Sequence, residues 1–273
     1  LKYVSPKVAL PAVLATSLLA SPVLLASENW DDHDRSNKYT AVAMAKAYLD
    51  SCEPNAILFT IGDNDTFPMW YLQEIEGYRT DVRIVNTSLL ATDWYIDEMK
   101  IKSNKSDAVP ISFTHDQYVG DKRNYCLFDE RTTDTLDLGL TLDFLKDDRS
   151  KREMKNGQFV HFYPSEHLKV KIDKQNIIKN KVVDKKYYDS IVPQINLKLK
   201  GGAIYKNRIL MLDIFNANNW KRPIYFTGGS FGDDDYIWMK DYLQLDGMVY
   251  KLIPVRTPIP ENGSPLDMGY IDA

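Results

Sequence analysis

Two carboxylates and a carboxamide stand together at Asp63, Asn64 and Asp65, directly after an apolar run and directly before an aromatic, helix-like segment. Such side chains accept the free N–H groups of a helix's first turn, so an Asx turn with a helix cap is their simplest role. Oxygen ligands of this type also bind the hard cations Ca²⁺ and Mg²⁺. A third role is one wall of a polar substrate pocket, with Trp70 or Trp94 stacking against the ligand.

A second acidic loop, residues 228–235, follows the apolar segment PIYFT at 223–227. Ligands of parallel α/β sheets bind beyond the carboxyl ends of the strands, so the loops at 62–66 and 228–235 are expected to share one edge if their strands are parallel neighbours. Their carboxylates would repel one another unless a divalent cation or basic side chains compensate. A metal-dependent hydrolase is therefore one alternative function.

The same loop contains Gly228-Gly229-Ser230-Phe231-Gly232, which fits the G-x-S-x-G pattern of a nucleophile elbow. The α/β-hydrolase order requires an acid and then a histidine downstream of the serine. All the histidines instead precede Ser230, at positions 33, 115, 161 and 167. Because another fold could assemble a triad in a different order, a serine hydrolase remains a second alternative.

A further polar cluster, Asn29–Arg35, contains Asp31 and His33, which have the types of metal ligands. It follows the 20 uncharged residues Val8–Ser27, about 30 Å as a helix and close to the hydrocarbon thickness of a bilayer. A solvated junction outside a membrane explains the cluster as well as a metal does. Lysines precede the apolar run and acids follow it, which predicts that the chain after it lies outside the cytoplasm.

The composition excludes several classes of protein. The formal net charge of −4 and the lack of a basic cluster argue against a nucleic-acid partner. Neither the dinucleotide-binding nor the P-loop glycine pattern is present, and HExxH is missing. Cys52 and Cys126 could form one bridge or two buried thiols. The share of apolar residues, 44%, is typical of a folded protein.

The elements alternate as strand, helix, strand and helix over residues 56–100, and again after residue 206, which predicts an α/β fold with a mostly parallel sheet and flanking helices. The expected elements include strands at 56–61, 82–86, 223–227 and 248–254, and helices at 35–52, 67–75, 92–100, 207–215 and 236–243. The predicted organisation is a transmembrane helix (1–27), an α/β domain in two parts (28–102 and 206–255), a β-rich insertion (103–205) and an extended tail (256–273).

Several motifs together resemble a known family. They are NWDDHDRS (29–36), GDNDTFP (62–68) with the WYLQE that follows, RTDVR (79–83), TDWYI (92–96), NWKRPIYF (219–226) and LDGMVYKLIP (245–254). In this order they resemble the C-terminal part of a bacterial family of polytopic membrane proteins. That family, formerly a domain of unknown function, is grouped with multi-spanning glycosyltransferases and is related to the animal endoplasmic-reticulum protein O-mannosyltransferase. The resemblance covers roughly residues 8–255, least well in the middle.

The resemblance implies a bacterial inner-membrane enzyme that moves a sugar from a lipid-linked donor to a protein or glycan acceptor, with this domain on the periplasmic side. Because the chain begins with Leu1, it is expected to be part of a longer protein whose catalytic acid lies upstream, so no catalytic residue is carried over. Ile61 departs from the family pattern, which has a polar residue, often Asn, before the glycine. If the loop binds a polar group, one ligand is lost here.

The leading hypothesis is therefore a supporting domain, not catalytic alone, that helps to recognise acceptor or sugar and contacts the bilayer and the remainder of the polytopic protein. The expected substrate-binding residues are Asp63, Asn64, Asp65 and Trp70, with Arg35 and Arg222 as partners for the acids. The candidates for a Ca²⁺ or Mg²⁺ site are Asp63, Asp65, Asp31 and His33. A membrane-anchored scaffold without chemistry is the simpler alternative to the hydrolases.

Overall fold

The computed structural model of the protein describes residues 5–155, 157–228 and 237–257. The chain forms two compact units, Leu1–Ala41 and Val42–Ala273. In chain order, the elements up to the middle of the second unit are α1 Pro6–Leu18, α2 Leu24–His33, α3 Thr40–Asp50, β1 Ile57–Thr60, α4 Gly62–Glu74, β2 Arg83–Asn86, α5 Asp93–Met99, α6 His115–Tyr118, β3 Tyr125–Phe128, β4 Leu136–Asp137, α7 Leu138–Lys146 and β5 Lys151–Glu153. They are followed by β6 Phe159–Tyr163, β7 His167–Lys171, α8 Lys174–Lys179, β8 Gln194–Lys198, β9 Ala203–Tyr205, α9 Lys206–Asn218, β10 Ile224–Thr227, β11 Leu243–Asp246 and β12 Val249–Leu252.

The first unit is built on an apolar helix. A π-helical turn, Leu19–Val23, joins α1 to α2 and contains Pro22, whose missing N–H suits a local widening of the helix. The resulting helix, Lys7–His33, is long and apolar enough to cross a membrane by length and composition, the one such helix in the described part of the chain. Its apolar side chains are exposed, as a membrane anchor or a signal sequence would leave them.

The second unit contains a five-stranded sheet in the order β11-β12-β10-β1-β2. The strand β1 pairs in parallel with both β10 and β2, as the alternation of elements predicts. The pairs β10–β12 and β11–β12 are antiparallel, so the prediction of a mostly parallel sheet is wrong and the sheet is mixed. The two-residue turn Gly247–Met248 explains the β11–β12 pair, because a connection this short allows only antiparallel pairing.

Alternate residues of the sheet face opposite layers. Leu58, Ile84 and Tyr225 pack with α3 and α4, whereas Phe59, Val85 and Phe226 belong to the larger core with α5 and α9. The rings of Phe59 and Phe226 stack with their centroids 5.2 Å apart. Burial on both faces explains why β1 and β10 are almost wholly apolar in sequence.

Two smaller sheets, β5-β6-β3-β9 and β4-β7-β8, lie entirely between residues 125 and 205. Both mix parallel and antiparallel pairs. Short alternating stretches of the sequence predict strands at 159–163, 168–172 and 194–199, and β6, β7 and β8 form close to these bounds.

Helix α4 begins five residues earlier than the expected start at Phe67. Gly62 has φ +70°, a conformation that glycine adopts without steric cost, so the chain can leave β1 and enter the helix within one residue. Pro68 therefore lies in the second turn. Its missing N–H leaves the carbonyl of Asn64 without an intrahelical donor, and Asn64 is exposed, where water supplies the hydrogen bond.

Candidate functional site

The carboxyl ends of β1 and β2 are fixed to the start of α4 by side-chain hydrogen bonds. Thr60 Oγ1 lies 2.7 Å from Thr66 Oγ1, and Thr66 Oγ1 donates to the Gly62 carbonyl at 2.6 Å. Asn86 Nδ2 donates to Thr66 Oγ1 at 2.9 Å, and all three polar side chains are buried. The GDNDT segment is thus the first turn of a helix tied to the sheet. The N-cap position is Ile61 and no side chain caps the helix, so the expected Asx cap is not formed.

The three candidate oxygen ligands of this turn have different surroundings. Asp65 is partly buried and accepts a hydrogen bond from Thr227 Oγ1 at 2.9 Å, which links α4 to the end of β10. Asp63 and Asn64 are exposed, and their side chains form no hydrogen bond within the described residues. Asp63 and Asn64 are therefore accessible at this edge of the sheet, whereas Thr227 occupies one carboxylate oxygen of Asp65.

Arg222 lies at the opposite end of the sheet, before β10 begins. Its guanidinium donates to the carbonyls of Asn55 at 2.7 Å and Ala108 at 3.0 Å, and burial lowers its pKa to about 10. The expected pairing of Arg222 with Asp63 or Asp65 is not formed, because the length of β1 separates them. Arg222, which precedes β10, instead holds together the segment that leads into β1 and the segment at Ala108.

The remaining predicted residues are distributed over both units. Asp31, His33 and Arg35 belong to the first unit, where His33 Nδ1 lies 2.9 Å from the Asn29 carbonyl. No group of three or more His, Cys, Asp or Glu side chains with the spacing of a metal site occurs within the described ranges. Ser230 and the acidic residues 233–235 lie outside the described residues. Cys52 and Cys126 are free and buried, and burial raises the pKa of both thiols.

A cavity of about 450 Å³ opens along the edge strand β2, between α4 on one side of the sheet and α5 on the other. Trp70, Gln73 and Glu74 line it from α4, and Arg83 and Ile84 from β2. The rest of the lining is Trp94, Tyr95, Glu98 and Met99 from α5 and Ile101, Lys102 and Ser103 after it. The two tryptophans considered as alternative stacking walls thus line one cavity.

Aromatic rings in mutual contact run along this cavity, and Trp70, Tyr95 and Trp94 line it. The rings of Phe67 and Trp70 stack with centroids 5.6 Å apart, and Trp70 and Tyr95 are 6.5 Å apart. Trp94 meets Tyr95 edge to face at 5.6 Å and is 52% exposed. An indole with an exposed face beside an internal wall of rings can stack against a flat apolar face of a ligand.

Tyr95 also closes the outer side of β2. Its hydroxyl accepts a hydrogen bond from the Asn86 N–H at 2.8 Å and lies 3.4 Å from the Ile84 carbonyl, to which it donates. Burial raises the pKa of Tyr95 to about 12, so the hydroxyl keeps its proton at physiological pH. The aromatic wall is therefore held in place by the backbone of the strand it covers.

The polar lining includes a buried guanidinium. Arg83 is only 6% exposed, and its Nη2 donates to the Glu98 carbonyl at 2.6 Å. Its Nε is buried without a hydrogen-bond partner in the described part of the chain. Glu74 and Glu98 are exposed, and Glu74 accepts a hydrogen bond from Asn104 at 3.2 Å. The cavity thus has a cationic floor and an acidic rim.

Sequence reasoning found the two tryptophans of this site but not Arg83 or the two glutamates. The available signal was the arginine inside the otherwise apolar strand VRIVN, because a charge in a buried strand requires a specific reason. The glutamates are surface residues of helices, a common position that carries no signal of its own.

The fold and the cavity define a mixed α/β domain with an aromatic-walled cavity, in a chain that also contains a helix long and apolar enough to cross a membrane. Residues 41–273 match the family model described as TMEM260-associated domain 2, and the chain belongs to this family. The match indicates a domain of TMEM260-like membrane proteins. No curated protein and no solved structure matches the chain.

Proposed function

We propose that this chain is the extracytoplasmic recognition domain of a TMEM260-like membrane glycosyltransferase, and that its cavity binds the sugar of a donor or acceptor. The observation that carries the proposal is the cavity between Trp70 and Trp94. Proteins bind sugars by stacking an indole on the apolar face of the ring while polar side chains contact the hydroxyl groups, and Gln73, Glu74 and Glu98 supply such groups here.

The enzymatic part of the proposal is supported by the motif set and the family match. Transfer from a lipid-linked donor, as in protein O-mannosyltransferases, would take place elsewhere in a polytopic protein. The lysines before the apolar helix support a location outside the cytoplasm. In a bacterial inner membrane, this would be the periplasmic side.

The sugar site is tested by titrating the full chain with neutral mono- and oligosaccharides and following tryptophan fluorescence. The detergent must lack a sugar headgroup, since that headgroup would compete. Trp70→Ala and Trp94→Ala are each expected to weaken binding roughly 5- to 150-fold, which corresponds to a loss of about 1–3 kcal/mol of ring contact. Trp30→Ala is the control, because Trp30 lies in the first unit and is 78% exposed. Equal affinities in all four proteins would contradict the proposal.

The location is tested with Lys105→Cys, which places a thiol on an exposed residue of the second unit. The native thiols give little background, because Cys52 and Cys126 are 4% and 0% exposed. We expect a membrane-impermeant maleimide to label this variant in intact cells. Labelling only after the inner membrane is broken would place the domain in the cytoplasm.

A further inference from the structure

Among the described residues that line the cavity, Arg83 alone has a buried charged group, and its Nε has no hydrogen-bond partner. It begins the strand β2 and points to the α5 side of the sheet, where its Nη2 reaches the Glu98 carbonyl. Arg83 forms no ion pair with a carboxylate of the described residues, although Glu74 and Glu98 line the same cavity. A buried cation is normally paired, since desolvation otherwise costs several kcal/mol.

The buried Nε is a second, independent indication. It is a donor with no acceptor among the described atoms, and such groups are rare in folded proteins because leaving one unpaired costs about 1–3 kcal/mol. Burial also lowers the pKa of Arg83, so the acids at the rim do not fully offset its desolvation. Both observations concern one side chain that lines a 450 Å³ cavity.

We infer that the ligand of this cavity carries an oxyanion, a carboxylate or a phosphate, which binds the guanidinium of Arg83 while the sugar ring lies between Trp70 and Trp94. A guanidinium offers several N–H donors in one plane, which match the oxygens of either group. The inference rests on the proposed function for the sugar part of the ligand, but not for the anionic part.

Specificity for an anion would come from direct contact with Arg83 rather than from the net charge of the cavity. Its formal charges cancel, since Arg83 and Lys102 are balanced by Glu74 and Glu98. The glutamates are exposed at the rim, whereas Arg83 lies at the floor. An anion at the floor is therefore stabilised in a low-dielectric place, and an anion left at the rim is repelled.

The test compares binding of glucose, glucuronate, glucose 1-phosphate and inorganic phosphate to the full chain, in a detergent with neither a sugar nor a phosphate headgroup. We expect one of the charged sugars to bind roughly 10- to 100-fold tighter than glucose, the effect of a hydrogen bond to a charged group. The tighter of glucuronate and glucose 1-phosphate identifies the anion. Arg83→Met is expected to abolish this discrimination, Arg83→Lys to restore part of it, and Lys102→Met, the matched cation control, to leave it intact.

Each outcome decides one of the two proposals. Equal binding of charged and neutral sugars to the unmodified chain would overturn the anionic inference while leaving the sugar site standing. Arg83-dependent binding of inorganic phosphate without binding of any sugar would support the oxyanion contact and overturn the proposed sugar recognition. Equal loss of discrimination in Lys102→Met would overturn the role of Arg83. If Arg83→Met does not fold, the comparison of the four ligands on the unmodified chain still decides.

Discussion

Asp65 and Thr227 are joined by a hydrogen bond of 2.9 Å, although 162 residues separate them in the sequence. This contact links the first turn of α4, which follows β1, to the end of the neighbouring parallel strand β10. It gives Asp65 a structural partner that Asp63, two residues before it, does not have within the described residues.

The first prediction compares these two acids. Asp65→Ala should lower the free energy of unfolding by about 1–2 kcal/mol, since it removes a partly buried hydrogen bond and a favourable charge in the first turn of a helix. Asp63→Ala should cost only about 0.5 kcal/mol, the effect of the helix dipole alone. Denaturant unfolding measures both. A double-mutant cycle with Thr227→Val should show coupling for Asp65 and none for Asp63.

Arg222 is predicted to be a structural residue. Its guanidinium donates to the carbonyls of Asn55, Ala56, Asp107 and Ala108, so Arg222→Ala should destabilise the chain by about 3 kcal/mol through unpaired buried groups. Ligand affinity of the folded fraction should change little, because Arg222 does not line the cavity, although it lies at the same end of the sheet as Arg83. Arg35→Ala, at an exposed position, is the control for stability. A loss of affinity in Arg222→Ala without a loss of stability would restore Arg222 as a binding residue.

His161 should make stability depend on pH in the acidic range. Its Nδ1 lies 2.6 Å from Ser150 Oγ in the interior, and burial lowers its pKa from 6.5 to about 4. The unfolded chain therefore takes up a proton below pH 6.5 that the folded chain refuses until about pH 4, so stability falls as the pH falls through this window. At about 1.4 kcal/mol per pKa unit, the loss is up to about 3 kcal/mol.

Unfolding curves between pH 7 and pH 4 test this expectation. His161→Gln should flatten the pH dependence by most of that amount, whereas His167→Gln, at an exposed position of β7, should leave it unchanged. The same slope in His161→Gln and in the unmodified chain would show that other groups are responsible.

Gly247 is predicted to be indispensable for the β11–β12 hairpin. A Cβ at this position would lie 2.2 Å from Ser51 Oγ and 2.9 Å from Ser51 Cβ, and φ is +60°. Gly77 has nearly the same φ, +65°, but open space around it. Gly77→Ala should cost about 1–2 kcal/mol from the backbone alone, and Gly247→Ala clearly more. Ser51→Gly in the Gly247→Ala background should recover part of the difference, because it relieves the clash but removes the acceptor of the Met248 N–H. Equal costs at the two glycines would show that Ser51 moves away without penalty.

Local sequence patterns predicted much of the central sheet, because β1, β2 and β10 are apolar runs buried on both faces. The strand β11 is not predicted, although the Asp246-Gly247 pair within alternating residues is a hairpin signal. The helix expected at 236–243 is a 3-10 segment, Ile237–Tyr242, and β11 begins at Leu243. The early start of α4 is not predicted from the sequence, because it depends on the positive φ of Gly62. That conformation allows the acidic segment after β1 to form the first turn of the helix. The cavity could be predicted only in part. Trp70 and Trp94 are visible as aromatic residues, but the burial of Arg83 depends on α5 packing over β2, which is a tertiary relationship.

The hydroxyl of Tyr95 also affects whether the edge strand β2 can pair with a strand of another molecule. The outermost strand of a sheet is a template on which a foreign strand can pair, and this is a common route to aggregation. On β2 the outward N–H of Asn86 and the carbonyl of Ile84 are both engaged by Tyr95. One phenol thus takes the place of a neighbouring strand, and a site open to a small ligand stays closed to a second polypeptide chain.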